Sequence, residues 1–160
     1  MASDLENTLY LDLKDGRVVI ELRPDLAPKH VERIKELVRQ GFYDGLVFHR
    51  VIEGFMAQGG DPTGTGAGGT GQKLPAEFSN EKHVRGTCSM ARAQNPNSAD
   101  CQFFIMFAPA PHLDRQYSIW GQVTEGMDLV DKIKRGSGHG GTVSDPDQII
   151  RMQIAADIKE

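Results

Sequence analysis

The chain has 160 residues, 39% of them hydrophobic and 25% charged, which suits one compact domain spanning 1–160 that buries a core without metal or disulfide support. A formal net charge of -4 without a dense Lys or Arg run excludes the electrostatic footprint of a nucleic-acid binder, and no apolar stretch approaches the roughly 20 residues of a membrane span. Cys88 and Cys101 are too few for a disulfide framework, and the acidic Met1 to Asn7 segment lacks the character of a secretory leader, so a reducing cytoplasmic setting is expected.

In chain order, Thr8 to Leu13 alternates with Leu9, Leu11 and Leu13 on one face, and the turn Lys14-Asp15-Gly16 leads into the apolar, β-branched run Arg17 to Leu22. This predicts a hairpin. Pro28 suits the first turn of a helix whose apolar stripe is Val31, Ile34, Leu37 and Val38, and Gly41 stands where a left-handed C-terminal residue is wanted. Strands are predicted near Leu46 to Ile52, Phe55 to Gln58, Thr87 to Ala91, Gln102 to Phe107, Tyr117 to Val123 and Ile149 to Ala156. A second helix is predicted from about Glu125 to Lys134, where Met127, Val130 and Ile133 recur and Gly136 ends the pattern. About eight short strands with only two helices predict a mainly β closed barrel, because closure removes exposed edges.

Gly59 to Gly71, Gln94 to Asp100 and Gly136 to Gly141 are predicted loops. Gly64 to Gly69 spells Gly-x-Gly-x-x-Gly, yet the following Thr70-Gly71-Gln72-Lys73-Leu74-Pro75 cannot open a helix, so a flexible rim is expected instead of a phosphate cradle. Cys88 beside Ser89 lacks a Gly-x-Ser-x-Gly elbow, and its apolar strand neighbours predict a buried thiol. Cys101, in a polar loop, is expected to be exposed, and His139 between glycines is expected to be solvated, with no partner at metal-ligand spacing.

The informative segment runs from Tyr43 to Asp61, where Arg50 and Gln58 interleave with Val47, Phe48, Val51, Ile52, Phe55 and Met56. Such a mixture describes an apolar pocket with a few fixed donors; alone, it also fits a buried strand with a paired arginine. The whole segment resembles the cyclophilin signature. Ser89-Met90-Ala91-Arg92 and Gln102-Phe103-Phe104-Ile105 resemble that family's two other active-site stretches, and the likeness extends from about Thr8 to Ile158. It implies a peptidyl-prolyl cis/trans isomerase built on an antiparallel β-barrel of eight strands capped by two helices.

By this resemblance Arg50 matches the catalytic arginine, and Phe55, Met56, Phe104 and Leu113 match the proline pocket. Gln58, Ala91, Arg92 and Gln102 match the positions that hold the substrate backbone, and Ala93 lines the neighbouring pocket. His49 matches a position beside the site, and period-2 alternation puts it on the opposite strand face from Arg50. The implied partners are Pro-containing segments of client proteins, with no cofactor and no metal; a monomer is the default expectation, since nothing in the sequence resembles a coiled coil.

The family's best-known members carry Trp where His112 precedes Leu113, and its indole N–H serves cyclosporin, so weak cyclosporin binding is expected here. Tyr117 replaces a common His of the pocket wall and keeps a planar ring with a polar tip; Arg92 replaces a common Asn. The rival reading is a non-catalytic module that holds Pro-containing segments in the same groove. It needs the pocket but not the guanidinium.

Overall fold

A computed structural model describes residues 5–66, 68–137 and 140–158; His139 lies outside them. The predicted hairpin forms from β1 (Thr8–Leu13) and β2 (Gly16–Leu22), paired antiparallel with Leu9 opposite Ile20 and Leu11 opposite Val18. The clearest helix is α1 (Pro28–Arg39), whose stripe of Val31, Ile34, Leu37 and Val38 is buried. It ends as its glycine predicts. Gly41 adopts φ 73°, its N–H reaches Val38 O at 3.0 Å, and the Phe42 N–H reaches Leu37 O at 3.0 Å, the bond pair of a Schellman motif.

The other strands are β3 (Arg50–Ile52), β4 (Met56–Gly59), β5 (Thr87–Met90), β6 (Phe103–Met106), β7 (Ile119–Glu125) and β8 (Arg151–Ile154). Together the eight form one antiparallel sheet in the order β3-β4-β6-β5-β7-β2-β1-β8. The expected closed barrel needs correction, because the end strands β3 and β8 do not pair with each other. Instead, irregular chain bridges the gap: Phe48 N–H donates to Asp147 O at 3.0 Å, Val51 N–H to Gly141 O at 2.8 Å and Val143 N–H to His49 O at 3.1 Å. Regular pairing is interrupted there because Asp145 takes φ 52° and Pro146 has no N–H to donate. The predicted strand Leu46 to Ile52 is therefore only three residues long.

The second predicted helix is likewise shorter. Only Met127–Val130 is α-helical (α2), and the chain continues in i to i+3 turns through Ile133. Gly136 ends no helix; its N–H donates to Val51 O at 2.8 Å.

Pleating divides the apolar residues into two clusters. Ala57, Phe103 and Ile105 face the main core with Leu9, Leu11, Ile20, Phe48 and Trp120, while Met56, Phe104, Met106, Ala110 and Leu113 form a second cluster on the other face. This is why Phe103-Phe104-Ile105-Met106 is apolar without alternation: β6 is covered on both faces.

Two buried carboxylates correct the expectation of a flexible glycine-rich rim. Asp61, 1% exposed, accepts the N–H groups of Thr63 at 2.8 Å, Thr65 at 3.1 Å, Gly68 at 3.1 Å and also Gly66. Asp100 accepts from Thr70 N at 2.9 Å, Thr70 Oγ1 at 2.6 Å and Gly71 N at 2.9 Å. Burial acts to raise the Asp61 pKa, but the converging donors outweigh it and hold the group at about 2. Because the folded value lies below the ordinary one of 3.8, the stabilisation is complete above that value and disappears as pH falls through about 2. Asp61→Asn is expected to cost about 2 kcal/mol at neutral pH, a difference from the parent chain that shrinks steadily below about pH 4. Paired urea melts at pH 7 and pH 3 check it; an equal cost at both would rule out the carboxylate's charge as the source.

Cys101 also departs from expectation. It is fully buried, and its carbonyl accepts the Tyr43 hydroxyl at 2.8 Å. Burial and the neighbouring Asp100 push its thiol up to about 12. Cys88 is buried as predicted, and burial raises its thiol as well.

Candidate active site

Strand register assembles the site on the second apolar face. Arg50 lies opposite Gln58 and Ile52 opposite Met56 across β3 and β4; Gln58 lies opposite Phe104 and Met56 opposite Met106 across β4 and β6. Period-2 alternation therefore turns Arg50, Met56, Gln58 and Phe104 to one side, and Val51, Ala57, Phe103 and Ile105 into the core. The 3-10 turn Pro111–Leu113 adds Leu113, which is 8% exposed.

These residues enclose a cavity of about 150 Å³ lined by Arg50, Phe55, Met56, Gln58, Ala91, Arg92, Phe104, Leu113 and Tyr117. All of them are among the sequence-predicted site residues. Ala93 and Gln102 instead line an adjoining cavity of about 220 Å³, together with Lys73, Ser98 and Asp100; Gln58, Ala91 and Arg92 border both. His112 is exposed at the rim, its ring tilted against Phe55 with centroids 5.8 Å apart. His49 is 7% exposed and lies just before β3, where it borders a further cavity together with Arg50, Gln58 and Gly64 to Gly66; burial lowers its pKa.

Arg50 is half-buried and aimed by two hydrogen bonds. Its Nε donates to Gly140 O at 2.9 Å and its Nη1 to Gln58 Oε1 at 3.1 Å. Gln58 Nε2 donates to Gln102 Oε1 at 3.0 Å, and Gln102 Nε2 donates to the carbonyls of Gly66 at 2.9 Å and Gly68 at 3.1 Å. Arg50 Nη2 has no partner among the described residues. The result is a guanidinium fixed at the edge of an apolar cavity by Gly140 and Gln58.

Arg92 is committed differently. Its Nε and Nη2 donate to Gln116 O at 3.0 and 2.7 Å, and its Nη1 donates to the carbonyls of Ala93 at 2.9 Å and Gln94 at 3.1 Å. It also lies 4.7 Å over the Tyr117 ring. The side chain thus clasps the loops on either side of the cavity.

Sequence reasoning missed His83, Ser89 and Asp114, which lie beneath this face. His83 Nδ1 is 3.2 Å from Asp114 Oδ1, and His83 Nε2 is 3.0 Å from Ser89 Oγ. The order resembles a hydrolytic triad, but Ser89 has no exposed surface and lies beside Phe104 across the β5–β6 pair, so its hydroxyl reaches no substrate. No local spacing signals the grouping, since 31 residues separate His83 from Asp114.

The family described as "Cyclophilin type peptidyl-prolyl cis-trans isomerase/CLD" matches residues 8–154. A "Probable peptidyl-prolyl cis-trans isomerase" of Brucella suis is 57% identical over 99% of this chain and 87% of its own length. "Peptidyl-prolyl cis-trans isomerase B" of Bacillus subtilis is 42% identical over 81% of this chain and 92% of its own. Among solved structures, the cyclophilin AquaCyp293 from Hirschia baltica superposes with a TM-score of 0.88 at 30% identity, covering 99% of this chain and 77% of that one. A Cryptosporidium parvum cyclophilin-type isomerase, crystallised in the presence of the dipeptide Ala-Pro, gives a TM-score of 0.85 at 32% identity, covering 92% and 98%.

Proposed function

The chain belongs to the cyclophilin-type peptidyl-prolyl cis-trans isomerases, and within that enzyme class we propose that Arg50 stabilises the twisted state of an Xaa-Pro bond whose proline ring fills the cavity of Phe55, Met56, Phe104 and Leu113. The observation that carries this reading is the guanidinium fixed by Gly140 and Gln58 beside that apolar wall, with Nη2 unbonded among the described residues.

Rotation about the bond breaks amide resonance against a barrier of about 18–20 kcal/mol, so the uncatalysed event takes roughly 10–100 s. In the twisted state the prolyl nitrogen becomes pyramidal and gains a lone pair. A guanidinium donor aimed at it binds that state more strongly than the planar one. No covalent bond is made or broken, so the reaction proceeds without a covalent intermediate.

Gln58, Ala91, Arg92 and Gln102 hold the flanking backbone in this account, and Ala93 borders the space for the preceding residue. Arg92 acts through the loops it holds, because its guanidinium nitrogens already donate to Gln116, Ala93 and Gln94. The substrates we propose are Pro-containing segments of folding proteins; the Ala-Pro dipeptide used with the Cryptosporidium relative supports that class. We place the protein in the cytoplasm as a monomer: the free buried thiols fit a reducing compartment, and the exposed large apolar side chains, Leu5, Phe78, Val84 and Ile150, come from separated stretches of chain. No helix among the described residues is long and apolar enough to cross a membrane.

Exchange spectroscopy on an Ala-Pro peptide tests the reading. Line broadening from accelerated exchange is expected, whereas shifts without exchange would make this chain a binding module. Cyclosporin provides a second check at the rim. His112→Trp restores an indole N–H beside Phe55, and one added hydrogen bond is expected to tighten cyclosporin binding by about threefold to tenfold. Calorimetric titration of parent and variant reads it directly; unchanged affinity would mean that His112 does not set the weakness.

A further inference from the structure

His83 packs against the cavity wall without lining the cavity. It is 1% exposed and precedes β5. Its backbone N–H donates to Asp114 Oδ1 at 2.7 Å, its Nδ1 lies 3.2 Å from the same oxygen, and its carbonyl accepts the Ala110 N–H at 3.0 Å. Ala110 and Asp114 bracket the turn that carries Leu113. On its other side the imidazole stacks on Phe104, with centroids 6.1 Å apart and 17° between planes, and meets the edge of Tyr117 at 6.3 Å.

We infer that His83 is a positioning residue for the proline pocket, setting the separation between the Phe104 wall and the Leu113 turn by holding both at once. The inference rests on the proposed reading of that pocket. Both ring nitrogens are needed to fix the imidazole. The Asp114 carboxylate only accepts, so the neutral ring carries its proton on Nδ1 and presents Nε2 as an acceptor. The Ser89 hydroxyl then has one proton for two acceptors, His83 Nε2 and Ser118 O, each 3.0 Å away. A flipped ring would put carbon where the polar contacts lie, facing the buried Ser89 hydroxyl and the Asp114 carboxylate.

The test compares His83→Phe and His83→Asn with the parent chain, using saturation binding and exchange spectroscopy on one Ala-Pro peptide. His83→Phe keeps a ring against Phe104 but loses both nitrogen contacts; His83→Asn keeps a donor near Asp114. His83→Phe is expected to weaken peptide affinity about tenfold, equivalent to about 1.4 kcal/mol, while exchange at saturation slows by less than about threefold. His83→Asn is expected to recover affinity to within about threefold of the parent. A role confined to stability would lower the melting temperature without this split.

If the His83→Phe chain does not fold, Asp114→Ala decides the matter. Its side chain is 21% exposed in a turn, and its loss is expected to weaken affinity in the same way. Folded His83→Phe or Asp114→Ala protein that binds peptide like the parent overturns the inference. Phe104→Leu and Leu113→Ala separate the causes: if they too leave affinity unchanged, the pocket reading has failed, and if they weaken it while the His83 and Asp114 variants do not, only His83's role is lost.

Discussion

Arg50→Ala is expected to slow catalysed exchange at saturating peptide by about 10²–10³-fold, the loss typical for removing one preorganised donor, while the peptide dissociation constant changes by less than about threefold. The split follows from where the two interactions act. The planar ground state offers Arg50 no lone pair on the prolyl nitrogen, whereas in the proposed mechanism the apolar wall of Phe55, Met56, Phe104 and Leu113 would contact the proline ring in planar and twisted states alike. Bringing the event to roughly the millisecond range requires about 10⁴–10⁵-fold, or about 5.5–7 kcal/mol at 1.36 kcal/mol per decade.

A charge-assisted hydrogen bond contributes about 1.5–3 kcal/mol net in ordinary settings, and more where water is excluded. In the proposed mechanism Arg50 would therefore supply a large share without covering the whole. The rest falls to water exclusion and to the clamp on the flanking backbone. Arg50→Lys sharpens the point, because an ammonium keeps the charge but cannot keep the planar fork that bonds Gly140 and Gln58 at once. An intermediate rate is expected. Exchange spectroscopy across a peptide titration measures rate and affinity together; a parent-like rate in Arg50→Ala would remove the guanidinium from the mechanism.

The sequence makes some of this architecture readable and hides the rest for physical reasons. Helix α1 is legible because its stripe repeats locally and Gly41 supplies the left-handed terminus. Pro28 marks its start correctly as well, but the partner of its first N–H groups is hidden, since no neighbouring side chain caps it: Glu77, 47 residues from His30, accepts the Lys29 and His30 N–H groups at 3.2 and 2.8 Å. The strand predicted from Leu46 shows the same limit. Its apolar character is right for burial, but pairing depends on the partner, and the partner chain around Pro146 cannot form a regular ladder.

The cavity residues are legible chiefly through family resemblance, which implies Arg50 and the four wall residues without any strand register. Period-2 alternation predicts opposite faces for Arg50 and His49, yet both border one cavity because His49 lies outside β3. It cannot decide which side of a doubly covered strand such as Phe103–Met106 faces the cavity. The polar support beneath is less visible still, because His83, Ser89, Asp114 and Ser118 come from different elements and meet only once the strand order is set.

Phe104→Ala is expected to have the broadest effect, lowering stability by about 3 kcal/mol and weakening Ala-Pro peptide binding by more than about tenfold. Phe104 is 5% exposed, stacks on His83 and meets Tyr117 edge-on at 5.5 Å, so its ring links the cavity wall to the layer below. Buried Phe→Ala changes cost about 3–5 kcal/mol, and the lower end applies because the void opens into an existing cavity that water can enter. With ordinary domain stability of about 5–15 kcal/mol the variant stays folded, and binding can be measured on native protein. Unlike Arg50→Ala, it removes contacts made to planar and twisted substrate alike, so affinity falls before the rate at saturation does. Urea melts and peptide titration read the two effects separately. A destabilised Phe104→Ala chain that binds peptide normally would mean that the proline ring lies elsewhere than against this wall.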